Sequence, residues 1–156
     1  MGKHVAEFHR VLVPVSGNPA DEHALKIVSR LIEPRQAEVT AVYVIEVAQS
    51  LPLDAELPAE IDRGERALEV AENVARQLCG TRCDFMATDL LQARSVGAAI
   101  VDEAAERKCD LIVMTSTCKP IHGKPQVSDT VNYVLRNAPC EVMLLRVTGG
   151  NGECSP

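Results

Sequence analysis

Asp110-Leu111-Ile112-Val113-Met114-Thr115 is a short apolar run rich in branched residues, the pattern of a strand buried on both faces of a parallel sheet. The residues after it complete the unit. Ser116 to Gln126 is a polar connection, Val127, Val131, Val134 and Leu135 recur at helical spacing, and Ala138-Pro139 stops that helix before a final apolar run, Cys140 to Val147. In an open parallel sheet, ligands bind at the loops leaving the carboxyl ends of strands, above all where the strand order reverses. Small-molecule chemistry is therefore expected between Thr115 and Thr130.

The same alternation fills the rest of the chain. Arg10 to Val15 is the first strand, with Pro14 at its carboxyl end because proline cannot donate to a ladder. Asn18 caps the helix that follows, with Pro19 at its first position and Asp21 three residues after the cap, and Ala24, Ile27, Val28, Leu31 and Ile32 form its stripe until Pro34. Glu38 to Val47 is the second strand, and Ala48 to Pro58 a surface excursion. Ile61 to Cys79 reads as a long helix burying Ile61, Leu68, Ala71, Val74, Ala75 and Leu78, weakened at Gly64 by up to about 1 kcal/mol and closed by Gly80. Cys83 to Leu90 is the third strand. Ser95 caps a helix with Ala99, Ile100, Val101 and Ala104 inward, ending near Lys108.

Alternating strands and helices predict an α/β fold: a single three-layer domain with an open parallel five-stranded sheet, helices on both faces, and order 3-2-1-4-5. Strands one and four then lie side by side at the reversal, and Ser16 to Asn18 faces Thr115 across one crevice. The domain is expected over residues 9–147, with a polar lead-in at 1–8 and a disordered tail at 148–156.

Composition narrows the function. The 156 residues carry a formal charge of −6 with no basic cluster, which argues against nucleic-acid binding. No apolar run approaches the length needed to span a bilayer, and the first nine residues lack a signal-peptide core, so a cytoplasmic protein without direct membrane insertion is expected. The six cysteines form no Cys-x-x-Cys pair, and most are expected to be small buried hydrophobes. The four histidines are scattered, so no metal site is expected. No nucleophile with an activating base is evident, so catalysis is not expected and no catalytic residue is assigned. Lys119, His122 and Lys124, around Gly123, form a candidate anion-binding run.

Val11-Leu12-Val13-Pro14-Val15, Asp110 to Met114, and above all Val134-Leu135-Arg136-Asn137-Ala138-Pro139-Cys140 with the strand after it, resemble the universal stress protein family over about residues 9 to 147. The resemblance implies the same sheet order, in an adenine nucleotide alpha hydrolase-like fold, and a homodimer along the final strand through Val142 and Leu144. An apolar edge strand needs such a cover. One branch of that family binds ATP or AMP. Its base and ribose contacts fall on Pro14, Val15, Ser16 and Val44, and its glycine-rich phosphate loop on Met114, Thr115, Cys118, Ser128, Asp129 and Thr130.

Here the pattern departs. Serine replaces the acidic residue at 16, all three loop glycines are missing, and Asp129 stands where a hydroxyl approaches phosphate. Side chains at Thr115 and Cys118 obstruct the close approach of main-chain N–H groups to an anion, and Asp129 takes up the positive end of the helix. The expectation is a dimeric regulatory, stress-response module acting through a protein partner or a transporter, with no required cofactor and no tight ATP binding. The alternative is an adenine-nucleotide sensor that takes ATP or AMP at an altered phosphate loop.

Overall fold

The computed structural model describes residues 8–33, 35–79, 86–117, 119–121, 124–126 and 128–147. Five parallel strands form one sheet: β1 (Arg10–Pro14), β2 (Glu38–Glu46), β3 (Met86–Ala93), β4 (Leu111–Thr117) and β7 (Glu141–Val147). Their order is β3-β2-β1-β4-β7, the expected 3-2-1-4-5 arrangement. The register pairs Val11 with Leu111 and Leu12 with Ile112, so β1 and β4 are adjacent at the reversal point.

The period of two in each strand assigns the sheet to two cores. Val11, Val13, Val39, Ala41, Leu111 and Val113 face helices α1 (Ala20–Leu31) and α2 (Pro58–Cys79). Leu12, Val42, Ile112 and Met114 face α3 (Val96–Glu106) and α4 (Asp129–Asn137), meeting Ile100, Ala104, Val131 and Val134. Leu12, Val13, Val42, Ile112 and Val113 are fully buried. Each such side chain contributes roughly 1.5–3 kcal/mol of transfer free energy.

Several boundaries differ from the sequence reading. Helix α2 begins at Pro58, not Ile61, because proline lacks only an N–H that the first helical turn leaves unpaired anyway. Strand β3 continues three residues past Leu90, since β2 offers partners as far as the Glu46–Ala93 pair. The connection after β4 is not plain loop: β5 (Lys119–Ile121) and β6 (Lys124–Gln126) pair as an antiparallel ribbon. Pro120 sits opposite Pro125, a pairing suited to a position that needs no N–H. Leu135 and Leu78, expected inward, are about half and about two-fifths exposed (50% and 38%), so the buried stripes of α4 and α2 are narrower than their apolar patterns. Pro34, Gly80, Cys83, Val127 and residues 148–156 lie outside the described residues.

Gly64 is more than a weak helix residue. A Cβ there would fall 2.5 Å from Leu90 Cδ1 and 2.8 Å from Tyr43 Cδ1. Its absence lets α2 lie directly on β2 and β3.

On the opposite face, Arg107 ties three elements together at the amino-terminal half of β2. Its Nε donates to Glu103 at 2.5 Å, one Nη to Asp89 at 3.1 Å, and the other to the buried Thr40 hydroxyl at 3.4 Å. Burial pushes the Glu103 carboxyl upward, Arg107 opposes that shift, and the two carboxylates push the guanidinium upward. Removing the cation strands Glu103, which is only 8% exposed, beside Asp89. Arg107 itself is partly solvated, which keeps the cost below the roughly 3–5 kcal/mol of a fully buried pair. Arg107→Met is expected to lower unfolding free energy by about 1–3 kcal/mol in urea titrations, with the m-value unchanged.

Candidate functional site

The carboxyl end of β1 turns sharply into α1. Val15 extends the ladder by donating its N–H to Val42 O at 2.9 Å. Gly17 then takes a φ of +86°, a left-handed conformation that a side chain resists. The N-cap is Pro19 rather than the expected Asn18, whose Oδ1 still accepts from Ala20 N at 2.8 Å while its Nδ2 donates to Ser16 Oγ at 2.7 Å. The regular helix starts at Ala20, after Pro19.

Asp21 was read only as a helix-start residue, and the structure gives it a larger task. Its carboxylate accepts the Ser16 N–H at 3.1 and 3.2 Å and the Gly17 N–H at 2.7 Å, and the residue is 6% exposed. Burial pushes its pKa up, and the N–H groups of Ser16, Gly17 and Asn18, with the Ser16 hydroxyl, pull it back. The turn therefore already holds an anion, and that anion belongs to the protein.

Across the crevice, β4 carries buried Met114 and half-buried Thr115 and Ser116. Thr115 pairs with Leu145 on β7. Ser128 caps α4: its hydroxyl accepts from Val131 N at 3.2 Å, and its carbonyl accepts from Asn132 N. Asp129 occupies the first turn, and both it and Ser128 are exposed. The hydroxyl and the carboxylate thus use the two assets of a helix amino terminus, a free N–H and a positive field.

The fold brings Pro14, Val15 and Ser16 to the same rim as Met114 and Thr115, through the β1–β4 pairing. Val44 stands on β2 and packs with the α3–α4 core, two strands from β4. Thr130 is half-buried in the first turn of α4. Lys119 and Lys124 lie on opposite strands of the β5–β6 ribbon, with Lys119 opposite Gln126 and Lys124 opposite Ile121. Cys118 and His122 lie outside the described residues. Val142 and Leu144 alternate with Met143 and Leu145 along β7, the first pair against the α3–α4 core and the second against the α1–α2 core. All four remain partly exposed, because β7 is the sheet edge.

Cys109 is buried, and its thiol is pushed up to about 11, chiefly by burial and next by Cys140 nearby. Cys140 is shifted upward for the same first reason. Thiols held protonated in this way are poor nucleophiles. Among the described residues, no three His, Cys, Asp or Glu side chains gather where they would hold a metal ion, and no helix is long and apolar enough to cross a membrane.

Comparison with known proteins agrees with this architecture. The model of the universal stress protein family matches residues 7–146. A universal stress protein of Methanocaldococcus jannaschii is 26% identical over 145 residues, covering 89% of this chain and 82% of the relative. A universal stress protein structure from Archaeoglobus fulgidus superposes with a TM-score of 0.70 at 19% identity, covering 87% of this chain and 97% of the other. A structure of the Archaeoglobus protein in complex with dAMP gives 0.66 at 18% identity, covering 87% and 96%. With the sheet order, the reversal-point crevice and a family match running from the first strand to the last, the chain belongs to the universal stress protein family.

Proposed function

We propose that this chain is a dimeric regulatory member of its family. It acts through a protein partner, or as the soluble module of a larger assembly such as a transporter, rather than by turning over a substrate, and it does not bind ATP tightly. The observation that carries this reading is the Asp21 carboxylate, seated on the Ser16 and Gly17 N–H groups. A nucleotide meets, at the ribose position, Ser16 and Gly17 amides already occupied by the buried Asp21 carboxylate and, at the phosphate position, Asp129 at the start of α4. Thr115 adds side-chain bulk where bare main chain is needed to close on the anion. Support for dimerisation is the exposed edge of β7, whose apolar residues gain from a second β7 laid against them.

A second reading is an adenine-nucleotide sensor with an altered phosphate loop. The Archaeoglobus relative solved with dAMP favours it, as do the apolar residues Val15 and Val44 at the positions that meet the base. In this version Lys119 or Lys124 replaces the glycine cradle.

Calorimetry with Mg-ATP, AMP and dAMP decides between them. No binding tighter than about 10 μM, a free energy near −7 kcal/mol, is expected, and submicromolar affinity would establish the sensor instead. Asp21→Ala is expected to cost about 1–3 kcal/mol near neutral pH, because two amides lose their acceptor. Since the folded carboxyl is raised, its proton-linked contribution to stability is complete below the ordinary carboxylate range and lost as pH rises through the raised value. That segment of the wild-type pH profile should vanish in the variant, as read by thermal melts across acidic pH. Val142→Lys should convert dimers to monomers in sedimentation velocity with circular dichroism unchanged; a persisting dimer places the interface elsewhere.

A further inference from the structure

The β1–α1 turn has a second side. Away from the β1–β4 crevice it forms one wall of a cleft of about 420 Å³ against α2, lined by Ser16, Tyr43, Arg63, Arg66, Ala67 and Val70. This volume suits a small organic ligand. We propose that this cleft binds a small molecule with an oxyanion, either a carboxylate or a phosphate ester, on a short apolar or aromatic body.

The walls are preformed. Gly17 brings the turn within 3.6 Å of Ala67 Cβ, measured to the position its own Cβ would take, and Asp21 pins the turn's amides. Gly64 lets α2 lie close on Tyr43, which lines the cleft. Tyr43 belongs to the α1–α2 core, whereas Val44, one residue on, faces α3–α4. The cleft therefore lies on the opposite face of the sheet from Val44 and shares Ser16 with the rim of the β1–β4 crevice.

The charges say what the cleft accepts. Three ionic side chains besides Arg66 line it, and each is engaged within the protein. Asp21 holds the turn, Glu22 pairs with Lys26 at 3.4 Å, and Arg63 pairs with Glu60 at 3.1 Å. Arg66 has no partner among the described residues, and neither has the hydroxyl of half-buried Tyr43. A tyrosine hydroxyl in such a place ordinarily finds an acceptor. Arg63 and Arg66 are three residues apart, which puts both guanidiniums on one side of α2, and the exposed Arg63–Glu60 pair is weak enough to be exchanged for a ligand. Two forked donors and a phenol fit the oxygens of a carboxylate or phosphate. Ala67 and the exposed Val70 supply the apolar wall for the body attached to it. This assignment does not rest on how the β1–β4 crevice is used.

The test is titration of the full chain with benzoate, phenyl phosphate, inorganic phosphate and AMP, followed by amide chemical shifts in nitrogen-15-labelled protein. Saturable shifts are expected at residues 16–18, 43 and 63–70, with residues 115 and 128–131 unmoved. Arg66→Ala should weaken binding about tenfold or more, and Tyr43→Phe by a smaller factor, with melting temperatures close to wild type. Binding of benzoate alone identifies a carboxylate ligand and binding of both phosphates a phosphate ester; either supports the site. The proposal is overturned by absence of shifts up to about 10 mM of every probe, by shifts centred on Thr115 and Ser128, or by affinity unchanged in Arg66→Ala.

Discussion

A main-chain N–H withdrawn from water at the end of a strand must find an acceptor, and the rim of this sheet is arranged around that demand. At the β1–α1 turn the acceptor is the Asp21 carboxylate, and at the start of α4 it is the Ser128 hydroxyl. Both positions are places where related architectures let a ligand's oxygens complete the pairing. Here the chain completes it alone. The turn is thereby fixed in one shape without a ligand, while its capacity to attract an external anion is diminished.

That rim exists because of the centre of the sheet. The pairing of β1 with β4 requires crossovers that place α1 and α2 on one face and α3 and α4 on the other. Specific devices then seat α2, α3 and α4. Gly64 removes the Cβ that would keep α2 off Tyr43 and Leu90, and a Cβ on Gly97 would come within 2.9 Å of Tyr133 Cβ where α3 meets α4. Arg107 fastens the end of α3 to β2 and β3 through Thr40 and Asp89. The helix-propensity loss at Gly64, about 1 kcal/mol, is offset by contact along two strands.

The sheet was legible because its information is local: branched apolar runs such as Asp110 to Met114, separated by capped helices, define strands without reference to anything distant. Ser95 and Ser128 as caps were legible for the same reason. Pairing-dependent features were not. The last three residues of β3 are strand because β2 lies beside them, and the β5–β6 ribbon depends on two segments meeting. Leu135 and Leu78 are apolar, yet their helices have too little neighbouring surface to cover them. In the site, missing glycines at 115, 118 and 128 were visible in the sequence. The reach of Asp21 back to Ser16 and Gly17 was not, since cap chemistry and turn closure use the same residue. The Arg107 cluster escaped notice although Glu103 and Arg107 stand four apart, because Asp89 and Thr40 come from other elements.

The position of negative charge gives the rim its direction. An acid at residue 16 would not by itself recreate a ribose contact, because it would stand beside Asp21, whose oxygens already lie 3.1 and 3.2 Å from the Ser16 nitrogen. Two carboxylates so close cannot both ionise without raising one of them further, and Asp21 is already raised by burial. Serine at 16 is therefore the consistent companion of aspartate at 21: the turn tolerates one carboxylate, and it is used inward to hold the main chain. Asp129 adds charge at α4 on the β1–β4 side of the rim, while on the α2 side Asp21 and Glu22 are engaged by the turn amides and by Lys26 and stand beside Arg63 and Arg66. Acids placed at the turn and at the start of α4 thus disfavour an added anion where the strand order reverses.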